Sequence, residues 1–433
     1  MGGPLIARRT LLAFAASSSA ARALGRVPYG GRVRLAIPWP VDRVDPHALD
    51  DPAAALFGAA ISDPLFALDG AGRPYAALAA SLPEATELGV RVTLRAGLAT
   101  ARGRALDSRD VVWSLERARA AGASALLAPF APALRDPRDP LAVLVPSAEP
   151  AALALALASP LTAILPRGFS AALPDGTGAF GAEPGSRRLV LRRNLRAARG
   201  ASFLDSLEVT RADDLAGALR AFESGEADVG WLGRGLHRPR PGAVAFDAGR
   251  FGWAVLRAGL DAGAWGAPGV IQQLLDRIPA SRLAYLGLGG LPGGGGDAAW
   301  GGAPAELLVR DDAPHLIEIA RALAALLGVA GHEVTPAPRP PRELASRRSA
   351  RRFALMLDFA RPLGPSGRDT LLALLTAADP ALARRPPALT TSDARQIART
   401  LTLGVVGELD IAGARVPELM ELPAWQLGAV WKR

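Results

Sequence analysis

Few residues in this chain could do chemistry, and their spacing narrows the choice further. The histidines are His47, His237, His315 and His332, with no two at the separation that aligns metal ligands on one helix face. Cysteine is absent, which excludes thiolate nucleophiles, disulfides and Cys-ligated metals. No G-x-S-x-G nucleophile elbow occurs, and Gly364, Pro365, Ser366 and Gly367 have the wrong spacing for one. Four glycines at 293–296 lack the Gly-Lys-Ser/Thr that completes a phosphate loop. Asp213 with Asp214, and Asp311 with Asp312, stand at helix starts, where negative charge suits the helix dipole. The expectation is a protein that is not an enzyme and uses no metal and no cofactor. Binding groups are better placed. Trp39 follows a strand over 33–37 and Trp231 one over 228–230, and ligands of open α/β sheets collect beyond the carboxyl ends of strands. Each tryptophan either walls a pocket there or packs as core beneath a loop.

The elements that hold these residues are legible in the periodicity. Val90, Val92 and Leu94 alternate with Arg91, Thr93 and Arg95 as a half-buried strand does. Gly97 and Gly103 bracket a turn-rich connection. Asp107 or Ser108 then caps a helix whose buried stripe is Val111, Val112, Leu115 and Ala118. A first strand covers 33–37 and ends at Pro38 and Pro40, with helices over 51–60 and 110–120. The stretch 128–150 reads as Pro-rich connection, and 153–158 as a strand, because Leu153, Leu155 and Leu157 alternate. Strands over 189–193, 207–210 and 228–232 enclose a helix over 215–224. Beyond a strand over 253–257, the Gly-rich 287–302 is a long loop of the kind that is functional or mobile. A βαβ unit follows over 307–335, then a strand over 353–358 and a helix over 368–378. Short strands alternating with helices make the fold class α/β.

Size and composition agree with a multi-domain globular protein: 433 residues, half of them apolar and 21% charged. The net charge of +9 does not signal nucleic-acid binding. The only lysine is Lys432, the arginines are spread along the chain, and no dense basic block with interleaved aromatics occurs. The beginning reads as an export signal over 1–23. Arg8 and Arg9 precede a short apolar stretch, and Ala21-Arg22-Ala23 fits an A-x-A cleavage site. The arginine pair suggests the twin-arginine route, with a Sec signal as the alternative. No apolar run reaches the roughly 20 residues that span a bilayer.

The order strand, R-x-G-L, Gly-bearing loop, D-V-V-W-S-L within 90–118 resembles the family 5 extracellular solute-binding proteins, receptors that feed peptides, nickel or opines to ABC importers. Val44-Asp45-Pro46-His47 is similar to that family's L-D-P-H element. The run 62–69, followed by Gly72-Arg73-Pro74 and Leu78-Ala79, matches its strand before G-x-x-x-P-x-L-A. Gly176-Thr177-Gly178-Ala179-Phe180 fits its G-T-G-x-[YF] turn, and 215–232 resembles its helix, Gly-Glu turn and Asp-Val strand. The C-terminal half matches more loosely.

The resemblance implies a two-lobed periplasmic-binding-protein-like fold of class II, cluster C type, with an accessory domain in the N-terminal half. By analogy the first lobe takes 24–45, 175–258 and 401–433, the accessory domain 46–174, and the second lobe 259–400, in a shortened and divergent member. It implies a monomeric periplasmic receptor that captures a peptide-like or other small solute between its lobes and serves an inner-membrane ABC permease. Trp39 and Trp231 would then face the cleft. Peptide-capturing relatives hold the ligand's amino group with an aspartate in a D-x-x-D-P neighbourhood, and Asp358 stands near that place. The second acid is missing, and Arg361 stands nearby, a side chain that favours carboxylate or phosphate. The family's Tyr-Trp loop is replaced by 195–201. These departures leave two outcomes open: a different ligand, or an exported scaffold or regulatory protein that no longer binds a transport solute. An exported hydrolase is a third, without a catalytic set to support it.

Overall fold

The computed structural model describes residues 29–146, 148–231, 240–291, 293–384, 386, 391–419 and 425–432. The export segment read over 1–23, and His237, lie outside the described residues.

β1 (Arg32–Ile37) turns Val33, Leu35 and Ile37 into the core and stops at Pro38 and Pro40, which supply no ladder donor. β2 (Phe66–Leu68) and β3 (Pro74–Ala76) form a hairpin. β4 (Glu84–Thr86), β5 (Gly89–Thr93), β6 (Leu134–Arg135) and β7 (Ala142–Val145) make a separate antiparallel sheet in the order β4-β5-β7-β6. The later strands join β1. They are β8 (Phe180–Pro184), β9 (Arg188–Arg193), β10 (Ser206–Arg211), β11 (Val229–Trp231), β12 (Val244–Ala258), β13 (Ala305–Arg310), β14 (Val334–Arg339), β15 (Leu355–Ala360) and β16 (Leu403–Arg415). Together they build one ten-stranded sheet in the order β14-β13-β15-β12-β16-β11-β1-β10-β9-β8.

β1 and β8–β11 form one end of this sheet, and β13–β15 the other. The ribbon of β12 and β16 runs through both. Its Val244–Arg415 end lies next to β11, and its Arg257–Leu403 end next to β15. Register shifts at three places along β12, between Asp247 and Arg250, Arg250 and Gly252, and Ala254 and Val255, let a 15-residue strand bend between the two halves. Gly252 sits at one of these shifts because nothing larger fits. A Cβ there would lie 2.2 Å from the Phe359 ring.

The helix Ser108–Ala120 starts where the sequence places it. Asp107 is its N-cap, with Asp110 completing a capping box. Val111, Leu115 and Ala118 are buried, while Val112 is only half-buried. Ser114 takes the remaining inward place, and its hydroxyl donates to the Leu165 carbonyl at 2.9 Å.

Two expectations fail here. The Pro-rich 128–150 holds β6 and β7, with Ala142–Val145 wholly buried. The predicted strand over 153–158 is a helix, Pro150–Ala156. Pro150 at its first position and the Glu149 carboxylate, which accepts from the Ala151 and Ala152 amides, start that helix. Leu153 and Leu157 lie one turn apart on its buried face, and Leu155 points out. The leucine alternation has an equally good helical explanation.

Two cores result. One runs along the sheet from Leu35 and Ile37 through Leu256 to Leu307, Val309 and Leu316, and so belongs to both halves. The other joins the small sheet (Val90, Val92, Val143) to Leu371 and Leu374 of the helix Gly367–Ala378 and to Val255 and Val405 of the ribbon. The Gly-rich stretch after 287 is pinned rather than free, since Gly289 and Glu408 exchange backbone hydrogen bonds of 2.9 and 2.8 Å. Among the described residues no helix is long and apolar enough to cross a membrane, and no cluster of His, Asp and Glu could hold a metal.

Candidate ligand-binding site

β1 and β11 run parallel side by side, so the residues after them emerge on one side of the sheet. Trp39 and Trp231 stand there, and the structure brings them together through a third ring, Phe251 of β12, at centroid distances of 5.7 and 5.3 Å. Trp39 also reaches the other half of the sheet, with Phe359 of β15 at 6.0 Å and His315 of the helix Pro314–Leu327 at 5.2 Å. Trp425 packs against Trp231 at 6.3 Å and stacks on Phe246 at 6.5 Å. The tryptophans are not open walls. Trp39 is 0% exposed and Trp231 2%. Edge-on ring contacts of this kind add to area burial, so the seam between the halves holds by aromatic packing. Two polar atoms in it, Trp39 Nε1 and His315 Nδ1, have no hydrogen-bond partner among the described residues.

His315 Nε2 lies 2.8 Å from the Leu286 carbonyl, which makes Nε2 the protonated nitrogen of a neutral ring. His47 is held similarly, with Nε2 2.7 Å from the Ala163 carbonyl. Burial pushes both imidazoles down to about 4 from an ordinary 6.5. Between those values the unfolded chain takes up protons that the folded chain refuses, so stability falls as pH drops from about 6.5 to about 4. Asp51 acts oppositely. Burial lifts its carboxyl to about 6, so its protonation favours the fold as pH falls from about 6 to 3.8. Burial raises Asp63 and Glu318 as well. For Asp45, Asp50, Asp228 and Asp276 burial works the same way, but arginine partners more than offset it and lower the carboxyl, so the histidines and these ion pairs together are expected to leave a net loss. Urea unfolding at pH 7 and at pH 4.5 measures it, and His315→Gln, which keeps a donor for Leu286 but does not titrate, is expected to show a shallower acid loss. An equal loss in this variant would remove His315 as its source.

Asp358 lies on the opposite face of β15 from Phe359, because neighbouring strand residues alternate. Its Oδ2 is 2.8 Å from Arg348 Nη2 and 3.4 Å from Arg257 Nη1. Arg348 also reaches the Asp50 carboxylate at 2.5 Å, and Arg310 donates to the Asp50 carbonyl at 2.9 Å. Burial lowers the Arg257 guanidinium to about 10 against the attraction of Asp358. For Arg348 burial works the same way, but Asp358 and Asp50 more than offset it and raise its pKa. Arg361 sits just past β15. Its amide donates to the Leu49 carbonyl at 3.1 Å and its Nη1 to the Pro46 carbonyl at 3.5 Å. It is 4% exposed, and burial lowers it to about 10. Among the described residues no carboxylate lies within ion-pair distance of it. Of the two acids that attract it, Asp51 accepts from the Asp45 and Ala54 amides at 2.9 and 3.1 Å, and Asp45 is spent on a two-pronged pair with Arg117 at 2.9 and 2.7 Å.

The four residues singled out from sequence therefore fall into two places. Trp39 and Trp231 share the aromatic seam. Asp358 and Arg361 lie along the junction of β15 with 46–51, one neutralised and one not. Phe251, Phe359, Trp425 and His315 escaped notice as seam residues. Phe359 and His315 carried a faint signal, as the neighbour of Asp358 at a strand end and as the inward position before Leu316.

A bent ten-stranded sheet whose halves are joined by two continuous strands, with a small extra sheet on one side, is the architecture of two-lobed periplasmic binding proteins. More particularly, it is the fold of the family 5 solute-binding proteins. The pheromone receptor PrgZ superposes with a TM-score of 0.68 at 12% identity, covering 93% of this chain and 99% of that one. The oligopeptide-binding protein AppA from Bacillus subtilis gives 0.66 at 13% identity, over 94% and 100%. NikA from Staphylococcus aureus, solved with Ni(L-His)2, gives 0.65 at 15%, over 93% and 100%. No family model and no curated protein matches the sequence.

Proposed function

We propose that the chain is a solute-binding receptor that closes its two lobes on a small solute outside the cytoplasmic membrane and passes it to an ABC importer. The observation that supports this is the end-to-end likeness of fold to proteins solved with peptides or a nickel–histidine complex. In this reading the lobes are those drawn from sequence, the protein works as a monomer, and the solute lies along the seam flanked by Trp39 and Trp231. In the same reading Arg361, at the neighbouring junction of β15 with 46–51 and with no ion pair among the described residues, supplies the polar contact and favours a solute with an anionic group. Asp358, already held by two arginines, is the weaker anchor.

A thermal-shift panel of peptides, opines, nickel–histidine and sugar acids tests this. Solute at about one hundred times its dissociation constant stabilises the fold by about 2.7 kcal/mol. Arg361→Ala is expected to remove that gain for an anionic solute while leaving the unliganded fold measurable. No shift across the panel would overturn the receptor reading.

The alternative, an exported scaffold that binds no transport solute, draws on the same seam. Its aromatic residues already bury one another, and Asp358 is already neutralised. Flat melting curves across the panel favour it. Export itself is tested by mass spectrometry of the native protein: a start near Leu24 is expected, and an intact Met1 would refute it.

A further inference from the structure

A cavity of about 690 Å³ lies away from the seam, between the small-sheet region and the second lobe. Its size is that of a small-molecule site. Leu126, Phe130 and Leu155 wall it from one side and Leu372 from the other. Leu155 is 49% exposed, the outward leucine of the helix Pro150–Ala156, and it has this cavity to face.

Of the three charged groups on the cavity's rim, two carboxylates have hydrogen-bonded partners and the guanidinium has none among the described residues. Glu149 is occupied by the Ala151 and Ala152 amides at 3.1 and 2.7 Å. Asp369 is occupied by the Ser366 amide and hydroxyl at 3.0 and 2.7 Å. Arg368, exposed on the same rim, has no hydrogen-bond or ion-pair partner among the described residues. It stands in the first turn of the helix Gly367–Ala378, whose N-terminus is already capped by Ser366 and Asp369. A bound anion would answer the unpaired side chain.

We propose that this cavity is a second ligand site, independent of the solute seam, which takes an amphipathic molecule with an apolar body and a single anionic head held by Arg368. The body displaces water from leucine and phenylalanine walls, and the head pairs with the free guanidinium. The walls come from both sides of the junction, so an occupant bridges the small-sheet region to the second lobe.

Calorimetric titration of the full chain at pH 7.5 with decanoate, 1-decanol and decyltrimethylammonium tests this. Decanoate is expected to bind once per chain and about tenfold more tightly than decanol, the lower end for a charged hydrogen bond at an exposed arginine, and the ammonium compound not at all. Arg368→Ala is expected to bring decanoate to the level of decanol without changing decanol. Leu155→Glu, a change on an exposed helix face, is expected to abolish decanoate binding with the melting temperature kept. Trp39→Phe is expected to leave it unaltered, which separates this site from the seam and lets it stand if the receptor reading falls. Equal binding of acid and alcohol, a preference that survives Arg368→Ala, or no decanoate binding at millimolar concentration would each overturn the proposal.

Discussion

Asp358→Ala is expected to destabilise the folded chain by about 3–5 kcal/mol, the range for breaking a buried ion pair by removing one partner. The carboxylate is 4% exposed and serves two guanidinium groups, Arg348 and Arg257. Arg348 keeps Asp50 after the change. Arg257 does not recover. It is 7% exposed, and the other contact it makes is a long one, 3.4 Å to the Ala378 carbonyl. The variant strands a cation in the core beside another of like charge. Asp358→Asn is expected to fail nearly as badly, since it keeps the shape and loses the charge. Changing Asp358 and Arg257 together to Leu and Met is expected to recover most of the loss, because a buried pair is often no better than its apolar isostere. Urea unfolding of the four proteins decides the matter. A loss below about 1 kcal/mol for Asp358→Ala would mean that water reaches the pair, as it does at the surface.

Trp39→Ala is the second large effect, at about 3–5 kcal/mol, the usual cost of truncating a fully buried aromatic. The indole touches Phe251 of the ribbon and both Phe359 and His315 of the far half, so its loss opens a hole where the halves meet. Trp39→Phe keeps an aromatic contact and is expected to lose less. Two-state unfolding in both variants fits a seam that breaks together with the lobes. A separate early transition in Trp39→Ala would show that the halves are held apart from their own cores, and a loss under 1 kcal/mol would show that the seam already opens in solution.

Much of this was readable from residues alone, and the failures have physical causes. β1, the helix Ser108–Ala120 and the βαβ unit of β13, the helix Pro314–Leu327 and β14 follow their local periodicity and caps closely. The helix Pro150–Ala156 defeated the reading because alternating leucines in an Ala-rich run satisfy a strand and a short helix equally, and the arbiter was Glu149-Pro150 at its start. β6 and β7 were hidden by flanking prolines and by their shortness. The tryptophans could be placed at strand ends from sequence. Whether they face a solute or one another depends on Phe251, Phe359 and His315, which lie far away in the chain and meet them only through the sheet order. The arginines around Asp358 were equally illegible, because Arg257, Arg348 and Asp50 approach from three separate elements.

The central place of β16 carries a consequence for how the molecule is made. Its 13 residues lie between β12 and β11, so every hydrogen-bonded route from one end of the main sheet to the other passes through a strand that follows the other nine in the chain. Before residue 415 has left the ribosome, β11 and β12 are bare edges, and bare edges recruit neighbours. Pairings this distant in sequence close slowly. Until β16 is made the nascent chain therefore carries two unpaired edges open to aggregation. A premature stop codon before 403 would cost far more than a tail, since both halves would be born with open edges.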